Sequence, residues 1–84
     1  GLNARAAAKV ATALVRMAHD NLSNAKGVGS GIFEFRVDFG PGYRIYFGKD
    51  GHTLIILLGG GTKQRQQRDI ESAQALWREY NRRK

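Results

Sequence analysis

Hydrophobic and polar positions follow two different periods along the chain. Over residues 2–22, apolar side chains recur every three or four positions opposite a basic stripe, and this spacing predicts an amphipathic helix. The apolar face comprises Ala6, Val10, Leu14 and Met17, and the opposite stripe comprises Arg5, Lys9, Thr12 and Arg16. Residues 23–31 are rich in glycine, serine and asparagine, which favour turns, and are predicted to be a connector.

The middle of the chain has a period of two, which is typical of β-strands. The alternation predicts strands over residues 32–39 and 43–48, with a tight break at 40–42 between them. An Asp50-Gly51 hairpin signal comes next. Residues 54–58 then form a strand that is apolar at both parities, as expected of a strand covered on both faces. Three strands with short links predict an antiparallel meander.

Helical spacing returns after the glycines at 59–61 and predicts a C-terminal helix. Its apolar face comprises Ile70, Ala73, Leu76, Trp77 and Tyr80. At this spacing Trp77 and Tyr80 are predicted to be core residues. The predicted fold class is therefore α+β, with an N-terminal helix, a three-stranded antiparallel meander and a C-terminal helix. The 84 residues make room for a single domain, 1–84.

Charge favours a polyanionic partner. Fourteen Lys and Arg against seven Asp and Glu leave a net charge of +7, and nucleic acid is the leading candidate. The chain has no cysteine, and no His, Cys or carboxylate cluster has metal-ligand spacing, so neither a metal nor another cofactor is expected. The longest purely apolar run, 54–58, is far below the ~20 residues that span a bilayer. With no basic leader either, a soluble cytoplasmic protein is expected.

Strand parity predicts a set of phosphate-binding side chains. If Phe33 and Phe35 face the core, the opposite parity is exposed, and the lysine two residues after the glycines lies over the same face or its edge. These side chains are Arg36, Arg44, Tyr46 and Lys63. Arginine offers forked donors that suit phosphate oxygens. The alternative is a solvated sheet face on which Glu34 and Asp38 form cross-strand ion pairs with the arginines.

Two other candidate sites are weaker. Residues 59–63 have neither the length nor the spacing of a nucleotide-binding P-loop. His19 closes the first predicted helix and His52 lies in a hairpin turn, so the pattern does not bring the two imidazoles together as an acid–base pair. Both histidines are expected to be exposed and unrelated.

The string at 35–47, FRVDFGPGYRIYF, is followed at a fixed distance by LIILLGGGTK at 54–63. With Gln67, the Asp69-Ile70 pair, Ala73 and the Leu76-Trp77 pair, these segments resemble the RelE/ParE toxin superfamily. More narrowly, they resemble its HigB-like branch of addiction module killer proteins. The resemblance extends over nearly the whole chain.

This resemblance implies the toxin of a type II toxin–antitoxin system, an endonuclease that cuts mRNA in the ribosomal A site without a metal. By position, Arg44 would hold the scissile phosphate with Arg36 beside it, and Lys63 would contact the phosphate or the leaving group. Tyr46 is a candidate for base stacking or proton transfer. Additional RNA contacts are expected from Arg65, Arg68 and Lys49. The expected partners are the ribosome, mRNA and a helix-turn-helix antitoxin.

The chain departs from the family pattern in three ways. Relatives begin with a β-strand before the long helix, whereas this chain begins within the helix, so one sheet edge is expected to pair with a partner or a second copy. Some relatives carry a lysine where Glu34 stands, and a late tyrosine or histidine where residues 67–70 stand, which leaves the acid and base open. Two alternatives therefore remain: a ParE-like gyrase poison, and an inactive truncated relative that only binds antitoxin or RNA.

Overall fold

The computed structural model describes Leu14, Val15, Met17, His19 and residues 25–37, 42–51, 53–61 and 63–84. Its elements are β1 (Ala25–Gly29), β2 (Ile32–Val37), β3 (Tyr43–Asp50), β4 (Thr53–Gly60) and helix α1 (Gln66–Arg83). The strands form one antiparallel sheet in the order β1-β2-β3-β4, so each strand lies beside its neighbour in sequence. The fold class is α+β, with a four-stranded sheet and a C-terminal helix.

Strand β1 occupies residues predicted to be a connector, so the three-stranded meander is wrong. Ser30 and Gly31 form the turn into β2, and both have positive φ, 58° and 81°. Two such residues in succession are typical of a type I′ hairpin turn. The register shifts between Gly27 and Gly29. Strand β1 is a short edge strand with an irregular register, and its Ala25 and Val28 pack against opposite cores without an apolar alternation that would mark it as a strand.

Most of the predicted N-terminal helix, residues 2–22, lies outside the described residues. Leu14, Val15 and Met17 are helical. Met17 is 1% exposed and packs against the sheet, whereas Leu14 is 40% exposed. The prediction that Leu14 shares the buried face is therefore wrong, since the described contacts of this segment with the core are made by Met17.

Both faces of the sheet pack against other parts of the chain. On one face, Met17 joins a cluster made of Phe35, Val37, Ile45 and Phe47. On the other face, Ala73 of α1 packs against Ile32 and Tyr46, with Trp77 and Ile70 at the border. The side chains predicted to face the core therefore do so, and the opposite parity forms a second core beneath α1.

Strand β4 is an edge strand, and the prediction that it is covered on both faces is wrong. Ile56 is 49% exposed, and the other apolar residues of the strand are half-buried. Phe47 pairs with Ile56 whereas Tyr46 pairs with Leu58, so Leu57 is an extra residue in the ladder. Such a bulge changes the face to which the following side chains point. The bulge explains why this strand is apolar at both parities.

Helix α1 confirms the predicted C-terminal helix. Asp69 and Ala73 are its buried residues, whereas Leu76 is 44% exposed, because it lies beside the stripe that contacts the sheet. At the far end, the Tyr80 hydroxyl donates to Asp50 over 2.6 Å. In the described part of the chain, no helix is long and apolar enough to cross a membrane.

Close packing of α1 on the sheet depends on the glycine at position 48. A Cβ at Gly48 would lie 2.5 Å from the Trp77 ring. We expect Gly48→Ala to lower the free energy of unfolding by about 1–3 kcal/mol through this overpacking, measured by urea denaturation. Gly59→Ala is the matched control, since nothing lies within 4 Å of its Cβ position. Equal stability of the two variants would contradict the packing of Trp77 on Gly48.

Candidate functional site

The sheet register brings polar residues from three strands together under and beside α1. Arg36 lies opposite Arg44, and Arg44 lies opposite Gly60. In the next row, Glu34 lies opposite Tyr46. Neighbouring strands are about 4.8 Å apart, so these rows place residues that are distant in sequence next to one another. The shared face of Arg36, Arg44 and Tyr46 agrees with the strand parity.

The burial of this face differs from the prediction. Arg36 is exposed, but Arg44 is only 8% exposed and Tyr46 is fully buried. The prediction that Arg44 and Tyr46 are exposed is therefore wrong. The alternation of apolar and polar residues assigns side chains to the two faces of a strand, but it does not show which face a helix covers. Helix α1 covers the face that carries Arg44 and Tyr46.

The Glu34 carboxylate connects the cluster to α1. Glu34 is 1% exposed, and its Oε1 lies 3.6 Å from Nε of Arg44. Its Oε2 accepts a 2.8 Å hydrogen bond from Nε2 of Gln66, at the start of α1. Lys26 of β1 contributes a second cation, with Nζ 3.7 Å from Oε1. The ion pairing that the alternative interpretation expects therefore exists for Arg44, whereas Asp38 lies outside the described residues.

Part of the polar capacity of this cluster is unused. Nη1 of Arg44 donates to the carbonyl oxygen of Gly42 over 3.1 Å. Its Nε and the hydroxyl of Tyr46 are buried and have no hydrogen-bond partner among the described residues. A buried polar group without a partner typically costs about 1–3 kcal/mol. Both donors lie near the buried Glu34 carboxylate, and Nε of Arg44 is 3.6 Å from its Oε1, just beyond hydrogen-bond distance.

The environment of Tyr46 keeps its hydroxyl protonated. Burial and, next in size, the negative charge of Glu34 raise the pKa of Tyr46 well above its ordinary value. The phenol is therefore neutral at physiological pH. In this state it can donate a hydrogen bond, but it is a weaker acid than an exposed phenol.

The raised pKa of Tyr46 has a consequence for stability at high pH. The pKa of Tyr46 is higher in the folded state than its unfolded value of 10.0. The protonated hydroxyl therefore stabilises the fold fully below pH 10, and this stabilisation is lost as pH rises from the unfolded pKa through the folded pKa. Between about pH 8 and about pH 11, the free energy of unfolding should fall more steeply for the wild type than for Tyr46→Phe. At neutral pH we expect Tyr46→Phe to be at least as stable as the wild type, because it removes an unpartnered hydroxyl.

Urea denaturation at several pH values measures this difference. Tyr43→Phe, at the half-buried start of the same strand, is the matched control for loss of a phenol hydroxyl. Identical pH profiles for the wild type and Tyr46→Phe would contradict the assignment.

A cleft lies beside the row formed by Arg36, Arg44 and Gly60. Its volume is about 290 Å³. It is lined by Leu58, Gly59, Gly60, Gly61, Arg65 and Asp69. Asp69 is 7% exposed, and its Oδ2 occupies the space into which a Cβ at Gly60 would project. The glycine at 60 therefore allows the carboxylate to lie against the end of β4.

The remaining predicted site residues fall in two places. Lys63, Arg65 and Arg68 are exposed at the junction of β4 and α1, near the cleft. Lys49 lies on the opposite face of the sheet, with Nζ 4.7 Å from the centroid of the Phe33 ring. Lys49 is therefore separated from the other predicted RNA contacts.

Sequence reasoning missed Gln66 and Asp69 as members of the site and treated Glu34 only as a surface partner. Gln66, Asp69 and Ala73 lie at helical spacing on the stripe of α1 that faces the sheet. Gln66 and Asp69 are polar residues on an otherwise apolar stripe, and this pattern could have indicated that they belong to the site. Among the residues described, His19 is exposed, and no three His, Cys, Asp or Glu side chains are arranged to hold a metal ion. His52 lies outside them.

The sequence is similar to that of one known protein. An uncharacterized protein of Haemophilus influenzae is 43% identical over 77 residues, which cover 92% of this chain and 78% of that protein. No family model matches the chain. No solved structure matches it either.

Proposed function

We propose that this chain, which belongs to one family with the uncharacterized protein of Haemophilus influenzae, is the toxin of a type II toxin–antitoxin system. Its proposed activity is ribosome-dependent mRNA cleavage, of the kind catalysed by the HigB-like branch of the RelE/ParE superfamily. The proposed partners are mRNA, the ribosome and a helix-turn-helix antitoxin. One observation carries the proposal: Arg36 and Arg44 lie in register beside Tyr46 and an open cleft.

The chemistry of these side chains suits phosphodiester cleavage without a metal. The ribose 2′-hydroxyl attacks the neighbouring phosphorus and gives up its proton to a water molecule, and the bond from phosphorus to the 5′-oxygen breaks as that oxygen takes up a proton. The products are a 2′,3′-cyclic phosphate and a 5′-hydroxyl. A guanidinium stabilises the charge that develops on the phosphate oxygens, and Arg44 supplies one. Tyr46 is protonated at neutral pH but fully buried, so its proposed part is to support the position of Arg44, and water protonates the leaving 5′-oxygen.

The charges of the site also support anion binding. Glu34 is the anion that lies opposite the Arg44 guanidinium. A phosphate that enters the site replaces this carboxylate as the partner of Arg44. Arg36 and Lys63 are exposed, so they are available to the flanking phosphates. Such contacts give an affinity that falls as salt concentration rises.

Mapping the 5′ ends of cellular mRNA after a brief pulse of expression tests the proposal. New 5′-hydroxyl ends phased to the reading frame are expected within minutes, before growth stops. Intact transcripts during growth arrest would contradict the nuclease. If DNA damage accompanied those intact transcripts, the gyrase alternative would replace it.

A further inference from the structure

We propose that the cleft between the end of β4 and the start of α1 binds a guanine base of single-stranded RNA, which the Asp69 carboxylate recognises. The inference rests on the proposed function in taking RNA as the ligand. It adds a base-specific contact beside the phosphate-binding arginines. Three of the lining residues matter: Gly60 and the buried Asp69, which we call the floor, and the exposed Arg65, which we call the rim.

The charges of the cleft favour a base on its floor and phosphates on its rim. A carboxylate is an acceptor only and repels phosphate, so Asp69 requires a ligand that presents hydrogen-bond donors. Arg65 lines the same cleft, and the row containing Arg36 and Arg44 runs up to Gly60. A nucleotide whose base faces Asp69 and whose phosphates face the arginines satisfies both sets of charges.

Guanine is the base that matches a carboxylate with two hydrogen bonds. Its N1–H and its 2-amino group lie side by side on the Watson–Crick edge and point the same way. Adenine and cytosine offer one amino group next to a ring acceptor, and uracil offers one N–H between two carbonyls. Single-stranded RNA exposes these edges to protein side chains. Two parallel bonds to a charged acceptor also give the stronger and more selective contact.

The shape of the cleft allows a base to approach. Its volume of about 290 Å³ is well above the roughly 30 Å³ that one water takes up in the liquid. The three glycines at 59–61 carry no side chains that would fill it, and Leu58 and the planar guanidinium of Arg65 border it. Apolar and guanidinium surfaces both stack on bases.

A second polar group lies unused on the same side of the sheet. The ring edge of Tyr46 is 3.5 Å from the Cβ position of Gly60. Its hydroxyl is buried and has no hydrogen-bond partner among the described residues. Two polar side chains, Asp69 and Tyr46, therefore adjoin the same glycine at the end of β4.

Comparing guanine with inosine in the wild-type protein tests the proposal directly. Inosine differs from guanosine only by lacking the 2-amino group, so it loses one of the two bonds to Asp69. NMR titrations use the trinucleotides UGU and UIU with 2′-O-methyl groups, which block cleavage. UGU should bind about tenfold more tightly than UIU, as expected for one hydrogen bond to a charged group. Equal affinities would overturn the proposal, whether or not any variant folds.

Variants assign the difference to Asp69. In Asp69→Asn the preference for UGU over UIU should disappear. In Glu71→Gln, which removes a charge from an exposed position of the same helix, the preference should remain. Arg65→Gln should weaken both trinucleotides equally, because it acts on phosphate or on stacking. A preference that survives in a folded Asp69→Asn variant would overturn the assignment.

The source of the guanine is tested in the same titrations. Guanosine should bind at least about tenfold more weakly than UGU, because it carries none of the phosphates that the rim cations hold. Equal binding would overturn RNA as the ligand. These measurements use no ribosome, so a guanine preference without cleavage in cells would contradict the proposed nuclease and leave the guanine site in place.

Discussion

Replacing Glu34 by alanine is expected to cost about 3–5 kcal/mol in the free energy of unfolding, because it leaves the buried guanidinium of Arg44 without its anion. The same substitution removes the acceptor of the Gln66 hydrogen bond that ties α1 to β2. A small domain has only about 5–15 kcal/mol in total, so the variant should be partly unfolded at 37 °C. Thermal and urea denaturation followed by circular dichroism measure the loss.

Two further variants show whether the lost stability comes from the broken Glu34–Arg44 ion pair or from any substitution in β2. Arg36→Ala changes an exposed side chain two residues along β2 and should alter stability by no more than about 0.5 kcal/mol. The double variant Glu34→Leu with Arg44→Leu replaces both charges by apolar side chains and should recover most of the stability lost in Glu34→Ala. A double variant less stable than Glu34→Ala would contradict the ion-pair explanation.

The sequence was most informative where one face of an element is buried and the other carries polar side chains. Strands β2 and β3 alternate cleanly, so their first residues, 32 and 43, and the side chains that share each face follow from the pattern, although β3 extends two residues beyond its predicted end at 48. Helix α1 was predictable from the spacing of Ile70, Ala73 and Trp77, which pack against the sheet. These are local signals, because the period of the backbone itself determines which side chains are neighbours.

The remaining features depend on contacts between distant segments. Strand β1 has the sequence AKGVG, and its strand structure comes from pairing with β2 rather than from its own pattern. The bulge at Leu57 arises in the pairing with β3. Glu34 stands between two phenylalanines, and alternation correctly separates it from them. Its burial is set by α1, which approaches from 32 residues further along the chain through Gln66.

The contact of α1 with Glu34 also fixes the position of Arg44, on which the proposed mRNA cleavage depends. Arg44→Lys is expected to reduce mRNA cleavage by about 100-fold or more, because loss of a single preorganised donor to a developing oxyanion typically costs about 10²–10³ in rate. Lysine retains a positive charge opposite Glu34, so the fold should persist. It lacks the planar fork that holds two phosphate oxygens at once. Counting new 5′-hydroxyl ends per transcript after a pulse of expression measures the change.

A matched substitution elsewhere shows whether the geometry of Arg44 or merely an arginine is required. Arg78→Lys makes the same change at an exposed position of α1 and should leave cleavage unchanged. Equal circular dichroism spectra and melting temperatures for Arg44→Lys and the wild type would exclude misfolding as the cause of lost cleavage. A folded Arg44→Lys variant that cuts mRNA at the wild-type rate would show that the buried guanidinium is a structural counterion of Glu34 and takes no part in cleavage.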